Sequence, residues 1–120
     1  MTNTLTKTDL LHFTGSETWY RHGLVRDILY TDGAQYVAEQ GGAYWLLDEI
    51  VLAQKFDVKI ASEPFQLWKL KVKEDHSAVL TCEDGNCQAV YTKAIEFTDF
   101  PLDEIAFYFT NKTILLPSEY

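Results

Sequence analysis

The residue types best suited to chemistry in the first half of the sequence form one short run, from Trp19 to His22. A histidine beside an arginine suits acid–base catalysis near neutral pH, because the imidazole exchanges a proton in that range and the guanidinium can hold an anionic group. The run also has a structural interpretation, in which it anchors a loop on the core and Arg21 pairs with a carboxylate. We favour the structural interpretation over the catalytic one.

Asp48 is the second candidate, because it interrupts a run of apolar helix-forming residues. A carboxylate in such a run lies either at the exposed edge of a helix or in a desolvated pocket, and the adjacent Glu49 favours the exposed edge. If the chain is an enzyme, we expect His22 to act as acid or base, Arg21 to hold an anionic substrate group and Asp48 to orient His22. Asp32 is a further candidate for the same site.

The two cysteines, Cys82 and Cys87, flank a predicted turn at 83–86. If the strands on either side of the turn pair, the two thiols face each other, which suits a redox pair or half of a metal site. A structural zinc site needs four ligands, usually in two close pairs, and the second pair is missing from the sequence. The three histidines stand singly. We therefore predict two reduced thiols, no metal site and no cofactor.

Aromatic residues are plentiful, with three Trp, seven Tyr and seven Phe in 120 residues. They cannot all enter the core of one small domain, so some of them are expected to line a pocket or an interface, where aromatic side chains carry much of the binding energy. The alternative is a set of half-exposed tyrosines on strands. The candidate binding residues are Trp19, Tyr20, Tyr44 and Trp45.

The charge balance narrows the function classes. A net charge of −8 repels nucleic acid and anionic membrane surfaces, so neither is an expected direct partner. The acidity is compatible with a basic partner or with mimicry of a nucleic acid, but it is spread along the chain. The sequence also contains no glycine-rich phosphate loop and no serine-hydrolase elbow.

The length favours a single domain over 1–120, with residues 1–6 flexible. The first seven residues lack the apolar segment of a signal peptide, and no apolar run approaches the length of a membrane helix. We therefore expect a cytoplasmic protein.

The first half of the sequence predicts two helices and a hairpin. A short helix is expected through Phe13, capped by Thr6 or Thr8. A strand within 24–30 leads to a turn at 31–33, with 35–39 as the return strand and a short helix as its alternative. The long helix is expected at 43–54, where apolar residues cover most of the circumference.

The second half predicts strands. Apolar residues alternate with Lys69, Lys71 and Lys73, which is typical of a half-buried strand with a wet lysine face. Further strands are expected at 78–82, 87–95, 105–110 and 113–116. The fold class is therefore α+β, with an antiparallel sheet, made of a hairpin and a meander, packed against one long helix and a short N-terminal helix.

Seven segments of the chain carry a resemblance to known sequences. They are Leu11–Gly15, Trp19–His22, Tyr30–Gly33, Ala43–Asp48, Asp84–Asn86, Thr98–Leu102 and Leu116–Tyr120. Together they resemble a family of small uncharacterised bacterial proteins, a domain of unknown function. The resemblance runs from about Thr6 to the C-terminus and implies a bacterial, cytoplasmic, single-domain protein, with mobile or accessory DNA as one source. The family has no assigned activity, so it implies no site residues.

Three functions remain open on the sequence. The first is a non-enzymatic binding module with a protein partner, for which a homodimer through an exposed strand or aromatic patch is one form. The second is a small enzyme that acts on an anionic small molecule through His22, Arg21 and Asp48. The third is an acidic inhibitor of a nucleic-acid-binding factor. The sequence favours the first, because it contains no catalytic motif.

Overall fold

The computed structural model describes residues 6–10 and 19–120, which form a layer of helices on a seven-stranded sheet. The helices are α1 (Lys7–Leu10), α2 (Asp32–Gly41), α3 (Tyr44–Phe56) and α4 (Val58–Ala61), and a 3-10 turn spans Pro117–Glu119. The strands are β1 (Trp19–Arg21), β2 (Leu29–Thr31), β3 (Phe65–Val72), β4 (Ala78–Glu83), β5 (Ala89–Ile95), β6 (Glu104–Thr110) and β7 (Thr113–Leu115).

The sheet is mixed, in the order β1-β2-β7-β6-β3-β4-β5. Most neighbours are antiparallel, as the sequence predicts, but β2 and β7 pair in parallel, with Leu29 opposite Thr113 and Tyr30 opposite Ile114. The prediction of a purely antiparallel sheet is therefore wrong at this junction. The α+β class is confirmed.

The predicted hairpin is wrong, because residues 32–41 form the helix α2. Thr31 begins this helix as an N-cap, since its side-chain oxygen accepts a hydrogen bond from the amide of Ala34. Ala34, Val37 and Ala38 recur at helical spacing and are buried. The core is therefore built on two substantial helices, α2 and α3, where the sequence predicted one.

The helix α3 lies close to the range 43–54 predicted for the long helix, and it supplies the centre of the core. Four of its residues, Leu46, Leu47, Ile50 and Val51, are at most 1% exposed. They pack with the inward side chains of the central strands, including Trp68 and Phe107. Apolar burial of this kind contributes roughly 1.5–3 kcal/mol for each large side chain.

The meander β3-β4-β5 is confirmed, and β3 shows the predicted alternation. Trp68 and Leu70 are buried on the helix side, whereas Lys69 and Lys71 lie on the opposite face. The predicted short N-terminal helix is described only as α1, a single turn; its continuation through Phe13 lies outside the described residues.

One end of the sheet, which we call the loop end, collects the segments that matter for the site. The loop 22–28 joins β1 to β2 there, and the turn at Asn111 and Lys112 joins β6 to β7. Both turn residues have positive φ, as a two-residue hairpin with right-handed twist requires. The C-terminal end of α3 and the whole of α4 lead into β3 at the same end.

Candidate functional site

Two of the residues singled out from the sequence are in direct contact. Nε2 of His22 lies 2.8 Å from Oδ1 of Asp48, although 26 residues separate them. The His22 side chain is 7% exposed and the Asp48 side chain is 46% exposed. The pair therefore joins the end of β1 to the outer side of α3, with its carboxylate partly in water.

Both ring nitrogens of His22 are occupied. Nδ1 accepts a hydrogen bond from the amide of Leu24 at 3.0 Å and faces the amide of Val25 at 3.5 Å. Because Nδ1 is an acceptor, the proton of the neutral ring lies on Nε2, which donates to Asp48. No ring nitrogen is left over for a substrate proton. The arrangement fits an anchor for the loop 22–28.

Arg21 does not join this pair, contrary to the catalytic hypothesis. Its guanidinium donates to the backbone carbonyl of Arg26, across the loop 22–28. The same loop is closed by a backbone hydrogen bond from His22 to Ile28 at 2.9 Å. Consecutive strand residues point to opposite faces, which separates the Arg21 and His22 side chains. Arg21 and His22 therefore both hold one loop, from its two sides.

Two of the candidate binding residues, Tyr20 and Tyr44, lie near the His22–Asp48 pair. Tyr20 stacks on Tyr30 with ring centroids 5.5 Å apart. Tyr30 and His22 make an edge-to-face contact with ring centroids 6.4 Å apart. Desolvation, with the nearby Asp32 carboxylate, raises the pKa of Tyr20. Burial, with a hydrogen bond to Glu39, raises the pKa of Tyr44. Both phenols therefore stay neutral hydrogen-bonding groups.

The other two candidate binding residues, Trp19 and Trp45, lie on other surfaces. Trp19 is 53% exposed and shares a shallow depression with Tyr120 on the face of the sheet opposite the helices. Trp45 lines a different depression, beside Phe97 and Asp99. The four predicted binding residues therefore do not form one site.

A cleft at the loop end is lined by five separate parts of the chain. Its volume is about 330 Å³, within the roughly 300–1,000 Å³ range of ligand pockets. We call it the loop–helix cleft, because the loop 22–28 forms one wall and α3 with α4 forms another. Its lining residues are Val25, Asp27, Ile28, Gln54, Lys55, Ala61, Phe109 and Lys112.

The loop–helix cleft combines an apolar floor with a charged mouth. Ile28 and Phe109 are 4% and 8% exposed and form the floor. At the mouth, Nζ of Lys112 lies 2.7 Å from Oδ2 of Asp27. This hydrogen bond and the Lys112 charge lower the pKa of Asp27, and Arg21 adds to the effect. The Asp27 carboxylate is thus ionised and already paired.

Behind the cleft, a buried amide pair fixes the end of α3. The side chains of Gln54 and Gln66 exchange hydrogen bonds of 2.6 and 2.9 Å, and Trp68 donates to Gln66 at 2.9 Å. Gln66 is fully buried and also donates to the carbonyl of Ile60. This network holds α4 against α3, so the helical wall of the cleft is rigid.

Sequence reasoning found the anchor of the cleft but missed the cleft. His22, Arg21 and Asp48 hold the wall, whereas the lining residues come from distant segments whose meeting depends on the sheet order. A depression of about 390 Å³ lies at the other end of the sheet. Its lining includes Leu10 and residues of β6 and of the C-terminal turn.

The cysteines do not face each other. Cys82 is fully buried opposite Tyr91, and Cys87 is exposed in the turn with a φ of 63°. The alternative in which the two thiols face each other is wrong because the turn is longer than 83–86, with β4 ending at Glu83 and β5 starting at Ala89. Burial, aided by nearby carboxylates, raises the pKa of the Cys82 thiol to about 12.

Within residues 6–10 and 19–120, no three histidine, cysteine or acidic side chains gather as metal ligands would. Over those same stretches, none of the helices is both long and apolar enough to cross a bilayer.

Comparison with known proteins leads to a family. No curated protein and no solved structure matches the chain. A family model matches residues 4–120, nearly the whole sequence, which confirms the resemblance to a family of unknown function. The chain therefore belongs to the family of unknown function DUF6876.

Proposed function

We propose that the protein is a non-enzymatic interaction module that holds a segment of a partner protein in the loop–helix cleft. The observation that carries the proposal is the cleft itself, an apolar floor open to solvent between a fixed loop and a rigid helical wall. A preorganised cleft of this size accepts a side chain at low entropic cost, because its walls need no ordering on binding.

Exposed apolar side chains around the cleft favour a protein partner over a small molecule. Leu24, Phe56 and Val58 are 63%, 75% and 83% exposed. Leu24 and Phe56 each adjoin a lining residue in the chain, and Val58 lies one helical turn before Ala61. Contiguous exposed apolar surface marks protein interaction sites, and a ligand confined to the cleft would leave these three side chains uncovered.

The enzyme hypothesis has weaker support. An acid–base role for His22 requires a ring nitrogen within reach of a substrate, and both nitrogens are engaged within the protein. The inhibitor hypothesis also has weaker support, because basic side chains gather at the loop end of this acidic chain. We retain a bacterial cytoplasm as the proposed location, on the resemblance and the acidic composition.

The test is a selection of displayed random peptides on the immobilised full chain, followed by fluorescence anisotropy on a selected sequence. The variant Ala61→Trp fills the cleft from α4, where Ala61 is exposed and lines it. The matched control is Ala94→Trp on β5, which is exposed and outside the cleft. We expect Ala61→Trp to weaken binding at least about tenfold, or about 1.4 kcal/mol, and Ala94→Trp to leave it unchanged.

A selection that yields no convergent sequence would contradict the proposal. Equal affinity for the wild type and Ala61→Trp would contradict it as well. Circular dichroism and denaturation of both variants establish that each is folded, so that a loss of binding reports on the cleft.

A further inference from the structure

We infer that the segment held in the loop–helix cleft is acidic, a bulky apolar side chain flanked by aspartate or glutamate. The inference rests on the proposed function and adds the chemical class of the partner. It depends on the charges around the cleft. The whole chain is acidic, whereas the lining of the cleft contains more basic than acidic side chains.

The first observation is a free cation at the mouth. The ammonium of Lys55 lines the cleft from α3 and forms no ion pair or hydrogen bond with any side chain in the described part of the protein. A lysine beside a buried apolar floor can pair with an incoming carboxylate at no cost in existing contacts. In a chain with 18 acidic and 10 basic side chains, an unpaired lysine at this position is selective for anions.

The second observation is that the one carboxylate among the lining residues, that of Asp27, already has a cationic partner. Asp27 forms an ion pair with Lys112, and the positive charge of Arg21 also stabilises its carboxylate. Arg26, next in the chain, is exposed. The lining therefore carries two cationic side chains, Lys55 and Lys112, and one carboxylate that is already paired, while Arg21 and Arg26 stand close by in the chain.

Nearby acids do not reverse this balance. Asp57 accepts hydrogen bonds from the amides of Lys59 and Ile60 at the start of α4 and is not one of the residues that line the cleft. A basic segment would place like charges against the mouth, which costs affinity and slows association. An apolar side chain in the floor with acidic neighbours at the mouth satisfies both parts of the site.

The size of the cleft limits which apolar side chain of the partner can bind on its floor. A cleft of about 330 Å³ between Ile28 and Phe109 has room for an aromatic or long aliphatic side chain. Aromatic residues supply large contact area with little conformational freedom to lose, which suits an anchor. We therefore use phenylalanine as the anchor in the test.

The experiment follows the backbone amides of the full chain by ¹⁵N NMR during titration with three capped pentapeptides of sequence Gly-X-Phe-X-Gly. X is glutamate, glutamine or lysine. We expect the glutamate peptide to shift the amides of Val25, Ile28 and Phe109, and to bind at least about fivefold more tightly than the lysine peptide. Its affinity should fall as salt is raised from about 0.02 to 0.2 M.

Lys55→Glu should reverse the preference between the glutamate and lysine peptides. The matched control is Lys71→Glu, which makes the same change in net charge at an exposed position on β3. Lys71→Glu should leave the preference intact, because Lys71 lies outside the cleft. An equal effect of the two variants would show that only net charge matters, and would overturn the inference.

Two other results overturn it in different ways. If all three peptides shift the cleft amides with equal affinity, the acidic partner is wrong and the cleft remains a binding site. If none shifts the cleft amides, both the acidic partner and the interaction module are wrong.

Discussion

At the scale of single residues, the imidazole of His22 has a positioning role in the fold. One nitrogen accepts from the loop that follows it and the other donates to a helix 26 residues further along. The side chain is buried while Asp48 is half exposed, so the pair closes the space between β1 and α3. The stability of the loop 22–28 should therefore depend on the acceptor at position 48.

We expect Asp48→Ala to lower the free energy of unfolding by about 1 kcal/mol, because it leaves a buried donor of His22 without its partner. Asp48→Asn retains an oxygen acceptor and should cost less than half as much. Urea denaturation of the three proteins measures the difference. Equal losses for the two variants would mean that the hydrogen bond to His22 contributes nothing.

Cys82 makes a second prediction, on alkaline stability. Its thiol has a pKa of about 12 in the folded protein, against an ordinary 9.0. A pKa raised by folding stabilises the protein fully below the unfolded value, and this stabilisation is lost as pH rises toward the folded value. Between pH 9 and 12, Cys82 should therefore make unfolding easier by up to about 1.4 kcal/mol for each pH unit.

Denaturant titrations at several alkaline pH values test this. Cys82→Ala should be less stable at pH 7, because it leaves a small cavity, but its decline above pH 9 should be shallower than in the wild type. Parallel pH profiles would show that the tyrosines, and not Cys82, determine the alkaline decline.

At the scale of elements, the start of α2 is tied to the C-terminal turn. The Glu119 carboxylate accepts from the amide of Gly33 at 3.1 Å and from the hydroxyl of Thr31 at 2.6 Å. It also accepts from the amide of Leu116 at 2.9 Å. A carboxylate at a helix N-terminus satisfies free amides and suits the helix dipole. Gly33 is needed because a Cβ there would lie 2.5 Å from Glu119 Oε1.

Gly33→Ala should therefore destabilise the protein, although alanine normally improves a helix by roughly 0.5–1 kcal/mol over glycine. The methyl group displaces Glu119 and uncaps α2, which costs about 1–2 kcal/mol. The control is Gly85→Ala, in a turn with open space around the position, which should be neutral. In a Glu119→Ala background, the loss caused by Gly33→Ala should shrink; a loss unchanged in that background would contradict the role of Glu119.

Local pattern predicted some elements and not others. The alternation of apolar residues with lysines was enough to predict β3, and the apolar run was enough to predict α3. In both segments the spacing of the apolar residues follows directly from which positions are buried. α2 was misread because Thr31, Asp32 and Gly33 are typical of a tight turn and also of a helix start. The glycine is explained by the approach of Glu119, 86 residues away, which no local pattern contains.

At the scale of the whole molecule, the candidate site was half predictable. The anchor residues His22, Arg21 and Asp48 were visible because their types suit chemistry. The lining of the loop–helix cleft was not predictable, because nothing in the sequence distinguishes Ile28 and Phe109 from other apolar residues. They come together only because β7 lies between β2 and β6 in the sheet. That insertion creates the parallel pair, which tight turns cannot predict.

Homodimer formation through an exposed strand stays a prediction. The strand β5 forms one edge of the sheet, and Thr92 at its centre is exposed. Two copies paired antiparallel about Thr92 would place the two threonines opposite each other. Thr92→Lys would then set like charges face to face and dissociate the dimer. Sedimentation equilibrium measures this; a monomer at all concentrations of the wild type would contradict the prediction.

The parallel pairing of β2 with β7 also has a consequence for biosynthesis. β2 ends at residue 31, yet one of its two neighbours in the sheet begins at residue 113, and the Glu119 carboxylate that accepts from the amide of Gly33 lies 86 residues further along the chain. During translation, the first third of the chain must therefore wait for nearly all the rest before its strands have a place in the sheet. Contacts this distant in sequence slow folding and leave strand edges open meanwhile. The strand edges of the nascent N-terminal third consequently stay open until nearly the whole chain has been made.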